Sequence, residues 1–230
     1  IGLGDVTVTA SVAVRRKTPV ALSVIEPVEI ENKLSTQEFP EILKSTPGVY
    51  ATKSGGAFGD SRINLRGFEQ ANIAVMINGV PMNDMEWGGL YWSNWAGLSD
   101  VTRSMQVQRG LGASKVSSPS VGGSINIVTK TTDVKAGGSV SYALGNDGYN
   151  KIMFNVSTGL RNGWAITLLG AKSWGDGYVQ GTEFEAYSYF GNISKQINEN
   201  HLLSFTVFGA PQWHNQRSNY DGLSIAGWQN

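Results

Sequence analysis

The densest stretch of chemically capable side chains lies between Asn83 and Trp95. Trp87, Tyr91, Trp92 and Trp95 are interspersed there with Asn83, Asp84, Glu86, Ser93 and Asn94. Rigid aromatic faces separated by polar groups suit a platform for a small molecule. The same rings suit packing of one part of the chain on another, and the residue types alone do not choose. Arg66 and Arg109 each stand just before a glycine at the end of a strand-like run. A guanidinium buried at such a place needs carboxylate partners to offset its desolvation. An exposed one needs only a local hydrogen bond.

Other chemistry is thin. His201 and His214 are far apart and lack metal-ligating company. Asn83, Asp84 and Glu86 offer oxygens but lack the spacing of a calcium loop. Gly110–Gly123 contains neither a Gly-Lys-Ser/Thr phosphate loop nor a nucleophile elbow. The chain has no cysteine, which removes thiol catalysis, disulfides and thiolate metal sites together. The expectation is a protein with no catalytic residues, no metal site and no cofactor, and so not an enzyme.

Composition narrows the class. The 230 residues include 29 Gly, and charged residues make up only 16%. An ordinary soluble domain carries about a quarter. Net charge is zero, so nothing argues for a nucleic-acid partner. No apolar run approaches the ~20 residues of a spanning helix. Membrane strands leave a much weaker hydropathy signal. The chain starts at Ile1 rather than Met, which allows for a removed export signal and an upstream domain.

The pattern changes near Thr131. Beyond it the chain reads as long alternating strands, about five of them between Gly137 and Ala210. Val140, Tyr142 and Leu144 alternate with Ser139, Ser141 and Ala143. Ile152, Phe154 and Val156 alternate with Lys151, Met153 and Asn155, of which Met153 alone is large and apolar. Trp164, Ile166 and Leu168 alternate with Ala165 and Thr167. Tyr187, Tyr189 and Ile193 alternate with Ser188, Asn192 and Ser194, and Phe190 breaks the pattern. Leu203, Phe205 and Val207 alternate with Ser204 and Thr206. Asn146-Asp147-Gly148 and Arg161-Asn162-Gly163 are tight hairpin signals. The Gly175–Glu183 connection is longer, and Gln196–Asn200 is short again. Aromatics such as Tyr149, Trp164, Trp174, Tyr178 and Tyr187 gather near strand ends, as at a membrane boundary. A soluble antiparallel sheet alternates in the same way. Strand length and the small, nearly uncharged second face favour a membrane barrel, its short turns periplasmic and its longer loops outside.

Before Thr131 the elements are short and mixed. Ile1–Ala10 reads as extended, Ser23–Glu29 as a short strand and Ser35–Ser45 as a helix with Pro40 inside it. Strands follow at Arg62–Phe68, Asn72–Ile77, Val101–Gln108 and Gly122–Lys130, with a turn at Asn78-Gly79. The motifs then come in a definite order. They are Pro47-Gly48-Val49, the run Ile63-Asn64-Leu65-Arg66-Gly67-Phe68, the run Met76-Ile77-Asn78-Gly79-Val80-Pro81, the run Gln106-Val107-Gln108-Arg109-Gly110, and the closing Gly122-Gly123-Ser124-Ile125-Asn126-Ile127-Val128-Thr129-Lys130. Each is common alone. In this order and spacing, followed by barrel-like strands, they resemble the TonB-dependent outer-membrane transporters.

The resemblance covers Asp5 to Lys130 by motif and the rest by pattern. This chain departs from it in Ser104, Gln106 and Gln108, where an acidic residue is frequent. It also has Gly110-Leu111-Gly112 in place of Gly-Pro, and Asn78 in place of Asp. The resemblance implies an α+β plug domain, with a small mixed sheet and short helices, followed by antiparallel transmembrane strands of an incomplete barrel. The divisions are 1–10, 11–131 and 132–230. Asp5, Val6, Thr7, Val8, Thr9 and Ala10 look like the segment that adds a strand to TonB, although an ordinary first plug strand would read the same.

By position, ligand contacts would fall in two apical loops. One contains Ser54, Gly55 and Asp60; the other contains Asn83, Asp84, Glu86, Trp87, Tyr91, Trp92 and Trp95. Arg66 and Arg109 would meet acidic residues of a barrel wall of about 22 strands, with those residues beyond Asn230. The implied activity is import of a scarce nutrient across the outer membrane of a Gram-negative cell. Its partners would be TonB with its inner-membrane energising complex, a small nutrient, outer-membrane lipid and, as in some relatives, a surface lipoprotein. The runner-up is a non-transporting surface receptor or adhesin with a soluble β-rich domain.

Overall fold

Short apolar runs that are buried on both faces become central strands. The computed structural model describes residues 21–26, 29–30, 33, 39–53, 58, 61–110, 120–130, 132 and 134–215. The Asp5–Ala10 segment and Ser54, Gly55 and Asp60 lie outside the described residues.

Among the described residues the first part holds seven strands: β1 (Ala21–Ile25), β2 (Val49–Lys53), β3 (Ser61–Leu65), β4 (Ile73–Ile77), β5 (Val80–Pro81), β6 (Thr102–Arg109) and β7 (Gly123–Thr129). Five of them form a mixed sheet in the order β1-β6-β7-β4-β5, in which β4 and β7 run parallel. β2 and β3 form a separate antiparallel pair. One helical turn, α1 (Leu98–Val101), leads directly into β6. The core gathers Ile73 and Val75 of β4, Met105 and Val107 of β6, Ile125 and Ile127 of β7, and Ile42 and Leu43 of the short helix Phe39–Ser45.

The Asn78-Gly79 turn forms as expected, with φ of 52° and 81°. It is also bolted to β7. The Asn78 amide donates to Thr129 Oγ1 at 2.9 Å, and Thr129 N–H donates to Asn78 Oδ1 at 2.9 Å. An aspartate could accept but not donate in this place.

Three expected elements differ. The described part of the Ser35–Ser45 helix is a 3₁₀ helix, Phe39–Ser45. Pro40 lacks an N–H and crowds the preceding turn, so it suits the start of a short tight helix better than the interior of a long one. The Arg62–Phe68 strand stops at Leu65. Arg66 and Gly67 adopt φ of 55° and 83°, and Leu65 and Phe68 exchange both backbone hydrogen bonds across them. The Ser23–Glu29 strand is Ala21–Ile25, and Glu29 is already helical.

The second part is an antiparallel meander of β8 (Gly137–Leu144), β9 (Asn150–Ser157), β10 (Trp164–Gly175), β11 (Phe184–Gln196) and β12 (Leu202–Gly209). The short β13 (Gln212–His214) pairs with the start of β11. β10 and β11 have 12 and 13 residues. At ~3.3 Å per residue and the tilt of a barrel, that length crosses a bilayer. The tight turns fall at Asp147-Gly148 and Asn162-Gly163.

The two faces decide what kind of sheet this is. Val140, Phe154, Leu168 and Phe205 are 77%, 55%, 47% and 69% exposed, while Ala165, Thr167, Asn192 and Ser194 point inward and are buried. A water-soluble sheet would bury the first set and expose the second. Here the apolar side chains face out, as in a strand whose solvent is lipid. The inward apolar exceptions, Met153, Leu169, Phe190 and Phe208, join the core of the first part. Leu169 pairs with Phe190, and Phe190 pairs with Phe208, so three of them form a row across β10, β11 and β12. The break at Phe190 therefore marks where the first part sits on the second.

Candidate functional site

The loop after β5 is held rigidly by its own polar side chains. β5 covers only the end of β4, and Asn83 replaces the missing strand beyond it. Its Oδ1 accepts from Val75 N–H at 2.8 Å, and its amide donates to the carbonyls of Ile73 and Gly88 at 2.9 and 2.7 Å. Asp84 Oδ1 accepts the N–H groups of Glu86 and Trp87 at 2.8 and 3.0 Å. Asn83 uses these atoms on β4 and the loop, and Asp84 uses Oδ1 within the loop, so both position their neighbours. Gly89 lies beneath the Trp87 ring, and an added Cβ there would sit 1.9 Å from it. Trp87 in turn meets Tyr91 edge to face, with centroids 5.3 Å apart. Both rings are exposed, as is Glu86.

The other two tryptophans do different work. Trp92 is buried, stacks on Phe39 at 5.3 Å and donates Nε1–H to Gln70 Oε1 at 2.8 Å. Gln70 donates in turn to the Leu90 carbonyl at 2.6 Å, so the indole and this amide tie the loop to the core. Trp95 stacks on Phe208 of β12, with centroids 5.7 Å apart and planes 9° apart. Trp92 and Trp95 therefore make packing contacts within the first part and against the second, and of the four rings Trp87 and Tyr91 are the exposed ones.

Those two rings border a groove of about 620 Å³, within the usual range for small-molecule sites. Its other walls include Arg62 and Asn64 of β3, together with Glu69. Sequence reasoning missed these three. The available signal was the alternation of β3, in which Ile63 and Leu65 are buried and Arg62 and Asn64 fall on the other face. Among the described residues no group of three or more His, Asp or Glu could hold a metal ion.

Arg66 and Arg109 come together although 43 positions separate them (109 − 66). Their stems flank Gly48, where an added Cβ would touch Arg66 Cγ and Arg109 Cδ, each at 3.6 Å. The Arg66 guanidinium reaches over Gly110, its Nη1 2.4 Å from where a Cβ would stand. Arg109 Nη1 donates a long 3.4 Å hydrogen bond to the Pro47 carbonyl. Arg109 Nε is buried and makes no hydrogen bond among the described residues.

Comparison with known proteins agrees with this architecture. Residues 14–124 match the family described as TonB-dependent Receptor Plug Domain. The chain is similar to the vitamin B12 transporter BtuB of Vibrio vulnificus, with 24% identity over 206 residues, covering 86% of this chain and 33% of that protein. It is also similar to the ferric enterobactin receptor of Pseudomonas aeruginosa, with 26% identity covering 85% of this chain and 26% of the receptor. The chain thus spans a third or less of the length of these relatives. Among solved structures, P. aeruginosa FpvA bound to a pyoverdine superposes with a TM-score of 0.70 at 18% identity, over 86% of this chain and 26% of that one. Residues 14–124 are thus a TonB-dependent receptor plug domain, and the strands that follow have the fold of the opening strands of these receptors' barrels.

Proposed function

We propose that the protein imports a scarce nutrient across the outer membrane, driven by TonB. The observation that carries this reading is a plug sheet seated on the inner face of strands whose apolar side faces outward. A plug inside a wall makes sense only if it opens on demand. The names of the relatives support the class of activity, since they include a vitamin B12 transporter and a ferric enterobactin receptor.

The division of labour follows. Residues 1–10 supply the coupling segment, 11–131 the plug and 132–230 the first barrel strands. Asp5–Ala10 adds a strand to TonB, which pulls with energy from the inner-membrane complex. Trp87 and Tyr91, with Arg62, Asn64 and Glu69 across the groove, receive the ligand, and Ser54, Gly55 and Asp60 add contacts to it. Arg66 and Arg109, two cations side by side, take carboxylates from the rest of the barrel wall. A surface lipoprotein remains compatible with this scheme. Ligand binding and TonB binding are then two sites coupled through the plug.

Deleting Asp5–Ala10 from the full receptor tests the reading. Ligand binding should persist while uptake stops. Uptake that continues would refute TonB coupling and favour a receptor that only binds.

A further inference from the structure

Plug and wall meet along α1 through a charge pair that neither the motifs nor the groove account for. Asp100 of α1 and Lys151 of β9 form an ion pair in which both carboxylate oxygens accept from Nζ, at 2.8 and 2.7 Å. The Asp100 side chain is 3% exposed and that of Lys151 14%. A second cation, Lys130, donates to the Asp100 carbonyl at 2.9 Å. The residues paired with Lys151 on the wall, Ala143 of β8 and Ser173 of β10, are small and uncharged.

Several contacts close to the pair are made by small side chains. Gly97 lies against Ser188 of β11, where an added Cβ would fall 2.2 Å from its hydroxyl. Ala171, Ser173 and Ala186 line the same junction beside the larger Trp95, Tyr149 and Tyr187, around about 50 Å³ of space. Small side chains of this kind slide readily. A buried charge does not leave its partner freely, because separation strands it in a dry place until water arrives. We propose that Asp100 and Lys151 form a release latch, a charge pair whose opening sets how readily α1 and the start of β6 leave the barrel wall. The position suits that role, since α1 leads into β6 and β6 carries both β1 and β7.

The latch presupposes the plug-and-barrel fold but not the import reading. Hydrogen exchange on the full receptor in detergent, without ligand or TonB, therefore separates the two. Asp100→Asn and Lys151→Met should each speed exchange of amides 98–105 by about tenfold, because each leaves one charge uncompensated. Exchange in β10 and β11 should not change, which shows that the barrel is still folded. The doubly exchanged receptor, Asp100→Lys with Lys151→Asp, should regain protection. Single variants that match the wild type would overturn the latch. So would a charge-exchanged pair that is as loose as the singles or fails to assemble. If the singles do not assemble, the exchanged pair decides the question alone.

Discussion

Trp87 and Trp92 stand five positions apart (92 − 87), the first exposed and the second buried. Trp92 has its ring on Phe39 and its N–H on Gln70. Trp92→Ala should therefore destabilise the plug by about 3–5 kcal/mol, since a large cavity opens and the Gln70 amide loses its partner. Trp87→Ala and Tyr91→Ala remove exposed rings and should shift stability by no more than about 0.5 kcal/mol. If the groove binds the nutrient, the same two variants should weaken binding by about tenfold or more. Denaturation and ligand titration on the full receptor give the two readings, and exposed-ring variants that bind normally would remove the groove from the transport path. The sequence could not have sorted these rings. Several aromatics within nine positions, 87 to 95, show no period that assigns an inner face. The choice is made by Gln70 and Phe39, which are distant in the chain. The coming together of Arg66 and Arg109 was hidden for the same reason. The turn at Asn78-Gly79 was legible because both residues tolerate positive φ, whereas Arg66 in that conformation gives no such warning.

At the level of the element, alternation located the strands but did not give the direction of the apolar face. The direction emerges only once a plug fills one side. It predicts unequal effects at facing sites on paired strands. Phe154 of β9 points outward near mid-strand, so Phe154→Lys places a charge in lipid at a cost of about 2–4 kcal/mol near the midplane. Ser141 of β8 pairs with Met153 and lies on the inner side, so Ser141→Lys should assemble normally. The fraction of heat-modifiable, folded receptor in the outer membrane measures both. Equal loss in the two variants would mean that the sheet has no lipid face. The pattern breaks were the most informative residues of this half. Met153 and Phe190 were visible as misfits in the sequence. Their reason, a plug seated against Leu169, Phe190 and Phe208, is a tertiary fact that no strand can reveal alone.

At the scale of the molecule, the wall must suit both a seated plug and the water that replaces it. Its inner polar groups satisfy one another. The Asn192 amide donates to Ser204 and Thr206, each at 2.8 Å, and Ser194 donates to Asn192 Oδ1 at 2.7 Å. Thr167 donates to Ser157 at 3.1 Å, and Asn155 to Ser139 at 2.7 Å. Apart from Lys151, whose Nζ donates to Asp100 of α1, these inner groups use wall partners for their hydrogen bonds, and hydration costs them little. The apolar row of Leu169, Phe190 and Phe208 is the exception, and removing the plug exposes it to water. Its loss should lower barrel stability without preventing assembly, because the strands are held by their own ladders and by lipid on the other face. A full receptor that lacks residues 11–131 should therefore insert, resist heat less well than the wild type, and conduct ions in a planar bilayer where the intact receptor does not. Replacing Phe190 with Ser in the plugless form should recover part of the heat resistance, since the exposed row is then smaller. In the intact receptor the same substitution should loosen the plug. An opposite sign in the two backgrounds would identify the row as a seat for the plug; destabilisation in both would make it part of the barrel's own packing.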